Sequence, residues 1–221
     1  MTPSRRKKKA APKADGIPQI INLPRPQTHG GKPVMVALSR RKTDRNLGAQ
    51  PLSPQTISNL LWAAFGVNRR KGPFGFFGRT AASASNSQEI EVYVALPKGT
   101  YRYEAGPHRL QLAAPGDLRT LAIGRGQSPM GAQAPVRLIF VVNLNKFKTA
   151  GFQEPGLWDK ETQKAYYYVD TGLIAGNVYI FAASQGLAAW FHNCDRAGLA
   201  KSLKLKPSQL ALFGQTVGYA K

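Results

Sequence analysis

Two short segments concentrate the side chains able to hold a polar organic ligand. Arg40-Arg41-Lys42-Thr43-Asp44-Arg45 sets basic residues around a hydroxyl. Guanidinium forks, an ammonium point charge and a neutral hydroxyl donor together suit a phosphate. A solvated basic turn is the alternative for such a run taken alone. The second segment is Ala82-Ser83-Ala84-Ser85-Asn86-Ser87-Gln88. Its small residues admit a ligand close to the backbone. Asn86 and Gln88 offer donors and acceptors side by side, as the edge of a planar heterocycle requires. A polar connecting loop is the plainer reading of that segment alone. The sequence contains no Gly-x-Gly-x-x-Gly, no P-loop and no Gly-x-Ser-x-Gly elbow. His29, His108 and His192 lack metal-ligand spacing. Carboxylates are scarce, so an enzyme built from this chain requires a cofactor to supply its reactivity.

The elements that must position these segments are legible in part. Val34, Met35 and Leu38 predict a short helix ending near Arg40–Arg41. Ser53-Pro54 is an N-cap and first-turn pair, followed by Ile57, Leu60, Leu61 and Ala64 on one helical face, with Gly66 as the stop. NRRKGPFGFFGRT (68–80) reads as a Gly-rich loop carrying Phe74, Phe76 and Phe77. Strands are predicted at 90–96, as a hairpin over 100–104 and 108–112, and at 135–143, the last apolar nearly throughout and so buried on both faces. Residues 145–160 carry no clear pattern. A long helix is predicted from about Lys164 to Gln185, with Val169, Leu173, Ile174, Val178 and Phe181 on one face. A strand at 186–192, a helix capped by Asp195 and a final strand at 211–220 complete the chain. Helices interleave with hairpins, which favours the α+β class.

Composition sets the outer bounds. The chain has 221 residues, 43% of them hydrophobic, enough for one sizeable domain. Residues 1–18 form a basic tail without apolar periodicity, expected to be disordered, and 19–221 form the domain. The stretch 20–33, punctuated by Pro and Gly, reads as an extended arm. The net charge is +20, which favours anionic ligands or surfaces and says little about fold. A single cysteine, Cys194, precludes an internal disulfide. No signal-peptide pattern and no membrane span are visible, so a cytoplasmic location is expected, with export through a missing or misassigned signal as the alternative.

Taken together, the two segments resemble the nitroreductase family. Arg-Lys-Thr-x-Arg is followed about forty residues later by Ser-x-x-Asn-Ser-Gln before a strand. Asp170-Thr171-Gly172 with Asn177 resembles the family's Asp-x-Gly-x-x-x-x-Asn helix, Gly186-Leu187-Ala188 its Gly-Leu-Gly strand, and Gln215-Thr216-Val217-Gly218-Tyr219 its closing strand. The similarity spans roughly residues 33–220 and is greatest to the oxazole/thiazole dehydrogenase-like (SagB/ThcOx-type) branch. It implies a nitroreductase-like α+β fold, with a central, mostly antiparallel sheet flanked by helices, in an intertwined homodimer. It also implies FMN, with NADH or NADPH as electron donor and the chemistry at flavin N5, so that no side chain is itself catalytic. Arg41, Lys42 and Thr43 would hold the phosphate, and Arg45 would sit near flavin N1 and the C2 carbonyl. Ser85, Asn86 and Gln88 would reach the ring edge or ribityl chain across the dimer. The backbone around His192 and Asn193 would donate to N5. Phe74, Phe76 and Phe77 would lid the flavin or pack in the dimer core, and Trp190 would stack near the ring or belong to the core. The chain departs from the family pattern at Glu89, where proline is usual, and at Leu47, where an aromatic is usual. The family often places a late basic residue on the phosphate, and here Lys221, the last residue, is the one available for that contact.

The resulting function is electron transfer to a nitro, quinone or similar organic acceptor, or oxidation of an organic substrate. A flavin-binding protein without turnover is one alternative. A basic nucleic-acid-binding protein is another, which the absence of RNP, helix-turn-helix and zinc-finger signatures disfavours. The basic tail would at most contact acidic surfaces.

Overall fold

A computed structural model of the chain describes residues 16–127 and 133–221. The basic tail assigned to 1–18 lies, as far as residue 15, outside the described residues. In chain order the elements are β1 (Ile20–Asn22), α1 (Val34–Arg40), α2 (Pro54–Phe65), β2 (Val67–Arg69), β3 (Gly78–Arg79), β4 (Ile90–Leu96), β5 (Gly99–Glu104), β6 (Arg109–Pro115), β7 (Val136–Asn143), α3 (Lys160–Gln185), β8 (Leu187–His192), α4 (Arg196–Ser202) and β9 (Gln209–Tyr219). Seven strands form one sheet in the order β1-β6-β5-β4-β7-β9-β8, every neighbouring pair antiparallel. This is the expected nitroreductase-like α+β architecture.

The apolar run of β7 explains its central place. Leu138, Phe140 and Val142 enter the main core under α2 and α3, while Ile139 and Val141 enter a second core closed by Leu199 of α4. A strand buried on both faces favours apolar residues at nearly every position. Helix α2 begins as its sequence predicts: the Ser53 hydroxyl accepts from the Thr56 amide at 3.0 Å. It ends at Gly66, where an added Cβ would lie 2.6 Å from the Trp62 backbone.

Helix α3 differs from its sequence reading in start and in orientation. It begins at Lys160, because the Asp159 carboxylate accepts from the Thr162 amide at 2.7 Å. Its buried stripe runs through Tyr167, Asp170, Thr171, Ile174, Ala175, Val178 and Ala182. Ile174 and Val178 lie inside as expected, but Val169 and Leu173 are 61% and 45% exposed. They belong to a second stripe with Ala165, Gly172 and Gly176, all exposed. Two apolar faces on one helix defeat a single-face assignment. Two loop assignments are also corrected. The Gly-rich stretch forms the small hairpin β2–β3, and part of the extended arm pairs with β6 as β1. Among the described residues no helix is long and apolar enough to cross a membrane, and no cluster of three metal-binding side chains occurs.

Candidate functional site

After α1 the cationic segment turns and runs along β8, the edge strand of the sheet. The Asp44 amide donates to Ala189 O at 2.9 Å. The Tyr179 hydroxyl, from α3, accepts from the Phe191 amide at 2.8 Å and pairs with the Thr43 hydroxyl at 3.0 Å. Leu47 is buried and bridges to Ala220, which explains why an aliphatic residue suffices there. The turn is thus fixed by its backbone and by Tyr179, leaving its cations outward. Arg41 lies over the Tyr179 ring at 5.5 Å and Arg45 over the Trp190 ring at 5.2 Å. Of the four cations, only Lys42 has a carboxylate partner among the described residues, Asp44 at 3.0 Å. Beside the turn is a cavity of about 190 Å³, with Lys32, Arg40, Lys42, Tyr179 and Ala183 in its walls. Small-molecule sites usually start at about 300 Å³, so this cavity alone would take only part of a nucleotide-sized ligand.

The amide segment forms a tight turn over Ala84–Asn86. Ser85, Asn86 and Gln88 have φ of 50°, 54° and 51°. Each such left-handed, non-glycine residue costs about 1 kcal/mol, so contacts must hold the turn. The Ala84 amide donates to Asp170 Oδ2 at 2.8 Å, and the Gln88 amide to the Ser83 hydroxyl at 3.0 Å. Asn177, two turns along α3 from Asp170, donates to Thr80 O at 3.1 Å. The two polar residues of the Asp-x-Gly-x-x-x-x-Asn motif therefore tie α3 to this loop. The Gln88 side chain is committed within the chain: its Oε1 accepts from Arg79 at 2.6 Å, and its Nε2 donates to Phe77 O at 2.8 Å and Asn86 Oδ1 at 3.0 Å. Gln88 thus positions Asn86. The other end of the Asn86 amide, Nδ2, is buried without an acceptor among the described residues.

The remaining candidates divide into supports and surfaces. Trp190 is 1% exposed, with its ring against His192 at 4.7 Å. It braces Arg45 from below and offers no open face to a substrate. His192 donates from Nδ1 to Asn193 O at 2.9 Å and accepts at Nε2 from the Thr216 hydroxyl at 2.7 Å. Burial pushes the imidazole down to about 4. Its neutral form therefore stabilises the fold above the ordinary histidine value near 6.5, and that contribution is lost as pH falls through about 4. In an NMR titration its ring resonances should not move between about pH 5.5 and 8; a midpoint near 6.5 would refute this assignment. Asn193 is exposed just beyond β8. Phe74, Phe76 and Phe77 are 59%, 43% and 44% exposed on the β2–β3 hairpin, Phe74 stacking on Phe152 at 5.7 Å. Cys194 behaves as a small apolar group, burial pushing its thiol up to about 11.

One relationship shapes the whole site. Asp170 holds the amide turn and Tyr179 holds the cationic turn, nine positions apart on α3. At 3.6 residues per turn they are half a turn apart around the helix and about 13 Å apart along it. Within one chain the two segments therefore lie on opposite flanks of α3. Neither Tyr179 nor Asp170 stood out as a site residue in the sequence. Asp170 carried a motif signal, whereas Tyr179 is one aromatic among several on its helix.

Known proteins resemble this chain in sequence and in fold. A sequence profile described as the Nitroreductase family matches residues 38–219. A Methanocaldococcus jannaschii protein assigned as a nitroreductase, MJ1384, is 27% identical over 157 residues, covering 68% of this chain and 73% of that one. The crystal structure of a protein from Ralstonia eutropha JMP134, likewise assigned as a nitroreductase, superposes with a TM-score of 0.79 at 33% identity, covering 96% and 93% of the two chains. The Escherichia coli microcin synthetase McbBCD complex shares the fold, with a TM-score of 0.64 at 18% identity over 97% of this chain and 79% of its own.

Proposed function

The chain belongs to the nitroreductase family, an oxidoreductase family, and from that premise we propose that it is an FMN-dependent enzyme working as a homodimer. The observation that carries this reading is the exposed stripe on α3. Ala165, Val169, Gly172, Leu173 and Gly176 form an apolar face with two glycines, and a Cβ added at either glycine meets nothing within the chain. Small residues on an apolar stripe admit close approach of another helix. Ala183, a further two turns along from Gly176, walls the cavity beside the cationic turn. A second copy seated on this stripe would supply the half of the site that lies on the far flank of α3. The small size of the cavity beside the cationic turn, about 190 Å³, supports the same conclusion.

The residues present fit FMN. Arg41, Lys42 and Thr43 would hold its phosphate, and Arg45, braced on Trp190, would place positive charge near N1 and the C2 carbonyl. Asn86, whose buried Nδ2 has no acceptor among the described residues, would serve the polar edge together with Ser85. The backbone at His192–Asn193 would donate to N5. When bound, FMN supplies the two-electron chemistry. The protein's task is to position donor and acceptor in turn over one face, with the exposed Phe74, Phe76 and Phe77 as the acceptor-side surface. NADH or NADPH is the donor in this reading, and a nitro, quinone or similar organic compound the acceptor. Oxidation of an organic substrate, as the likeness to the SagB/ThcOx-type branch suggests, is the other direction of use.

The test is the visible spectrum of the purified protein, followed by steady-state oxidation of NADH and NADPH with a quinone or nitroaromatic acceptor. A yellow protein with flavin bands and turnover is expected. A colourless protein that FMN does not reconstitute would overturn the assignment, and flavin without turnover would reduce it to binding alone.

A further inference from the structure

Glu89 and Asp170 are both buried carboxyl groups, 0% and 4% exposed, that reach the same 84–88 turn and lie close enough for each to act on the other's protonation. Each also grips that turn. Asp170 Oδ2 accepts from the Ala84 amide at 2.8 Å, and Glu89 Oε2 accepts from the buried Ser87 hydroxyl at 2.6 Å. The remaining oxygen, Glu89 Oε1, is buried with no donor among the described residues. Two carboxylates cannot hydrogen-bond without a proton between them, and two adjacent buried negative charges are strongly disfavoured. One proton on the pair satisfies the orphan oxygen and turns the repulsion into a bond.

We infer that Glu89 and Asp170 share one proton and act as positioning residues, a carboxyl–carboxylate staple that closes the two ends of the Ala84–Ser87 turn against α3. The staple belongs to this chain's departure from the family pattern, because proline at position 89 could not form it. It deepens the reading of the turn as half of the flavin site, and rests on that reading only for its flavin titration. The charged and titratable groups around the pair come from three elements. Lys146, on the turn after β7, donates to Gln88 O at 3.0 Å and lies 3.5 Å from Glu91 on β4. Tyr166, on α3, faces Asp170 and Glu154. Lys146 is hydrogen-bonded to the backbone and paired with Glu91; it also attracts Glu89, more weakly, with Arg79 close enough to oppose its charge.

Burial, and then the Asp170 charge, push Glu89 from 4.5 up to about 8. Between those values the folded chain keeps a proton that the unfolded chain has lost. Stability therefore falls as pH rises through this window and levels off above about 8. His192 and His108 are both held below their ordinary value by burial and act in the opposite sense, chiefly below about pH 6.5. From pH 7 upward the histidines no longer contribute; Lys146, held below its ordinary value, and Cys194, held above its own, still do, so the difference between wild type and Glu89→Gln isolates the carboxyl pair.

The test compares the full-length chain, stripped of flavin, with Glu89→Gln, Asp170→Asn and Glu89→Leu. Wild type should lose about 4 °C in Tm between pH 7 and 8.5. Its Ala84 amide should lose hydrogen-exchange protection over the same interval. Glu89→Gln keeps both hydrogen bonds without the shared proton, so it should hold Tm and protection nearly constant, whereas Asp170→Asn removes the neighbouring charge but leaves Glu89 buried and should keep part of the pH loss. Glu89→Leu should leave Ala84 unprotected at both pH values. A wild-type pH loss that persists in Glu89→Gln, or full Ala84 protection in Glu89→Leu, overturns the staple. An FMN titration of wild type and Glu89→Gln adds the link to the site: affinity should fall about tenfold from pH 7 to 8.5 in the former alone. Absence of FMN binding at every pH counts against the cofactor, while the flavin-free comparison still decides the staple.

Discussion

Leu173→Arg should convert a dimer into a monomer and strip it of flavin. Leu173 is 45% exposed within one chain, so an arginine there has room and the chain should fold. At a dry helix contact the same charge would be buried without a partner, at a cost of several kcal/mol, roughly 3–5. Light scattering on a sizing column should report twice the 24.0 kDa chain mass for wild type and the single-chain mass for the variant. FMN affinity should fall on the order of 100-fold, because half the site departs with the second copy. Gly172→Leu separates interface from fold. A side chain at Gly172 meets nothing within the chain, and leucine is the better helix former by about 1 kcal/mol. An isolated chain should therefore gain stability, whereas a dimer packed on this stripe should come apart. A flavin-loaded dimer retained by both variants would show that the two copies meet elsewhere.

Removal of the cationic pair, as Arg41→Ala with Lys42→Ala, should weaken FMN binding on the order of 10³-fold. Charge-assisted hydrogen bonds contribute roughly 1.5–3 kcal/mol each, and two are removed. Both side chains are exposed, and the turn is held by Asp44, Thr43 and Leu47, so the fold should survive with Tm nearly unchanged. Riboflavin, which lacks the phosphate, provides the control. Wild type and variant should bind riboflavin with equal, weak affinity. Equal losses for both ligands would place the damage outside the phosphate contact. The wild-type preference for FMN over riboflavin should also shrink with added salt, as screening requires for exposed charges.

The parts of this molecule that were legible in its sequence are those with a local physical cause. Ser53-Pro54 announces α2 because the cap and the first turn need those residue types. The nearly continuous apolar run of β7 announces a central strand. The misjudged parts depend on distant partners. Residues 145–160 concealed the start of α3 because Asp159 is a cap with no periodic run directly behind it. Val169 and Leu173 looked like core because they are apolar at helical spacing, and a sequence does not show which of two apolar faces meets its own sheet. The three residues from Ile20 to Asn22 form a strand only because β6 offers an edge. In the candidate site, the cationic and amide segments were visible as motifs, but their supports were not. Tyr179 links Thr43 to Phe191 across more than a hundred residues, and Gln88 turns inward because Arg79 is there to meet it. The pairing of Glu89 with Asp170 likewise requires α3 to be laid against the loop, which no spacing reveals.

The way the cationic turn lies on β8 has a consequence for solubility. The last strand of a sheet leaves backbone groups able to recruit foreign strands, the usual first step toward aggregates. Here Ala189 O is taken by the Asp44 amide and the Phe191 amide by the Tyr179 hydroxyl. The cationic segment thereby also seals this margin of the sheet. Variants that dislodge the whole turn, unlike those that only remove its charges, should therefore precipitate during expression.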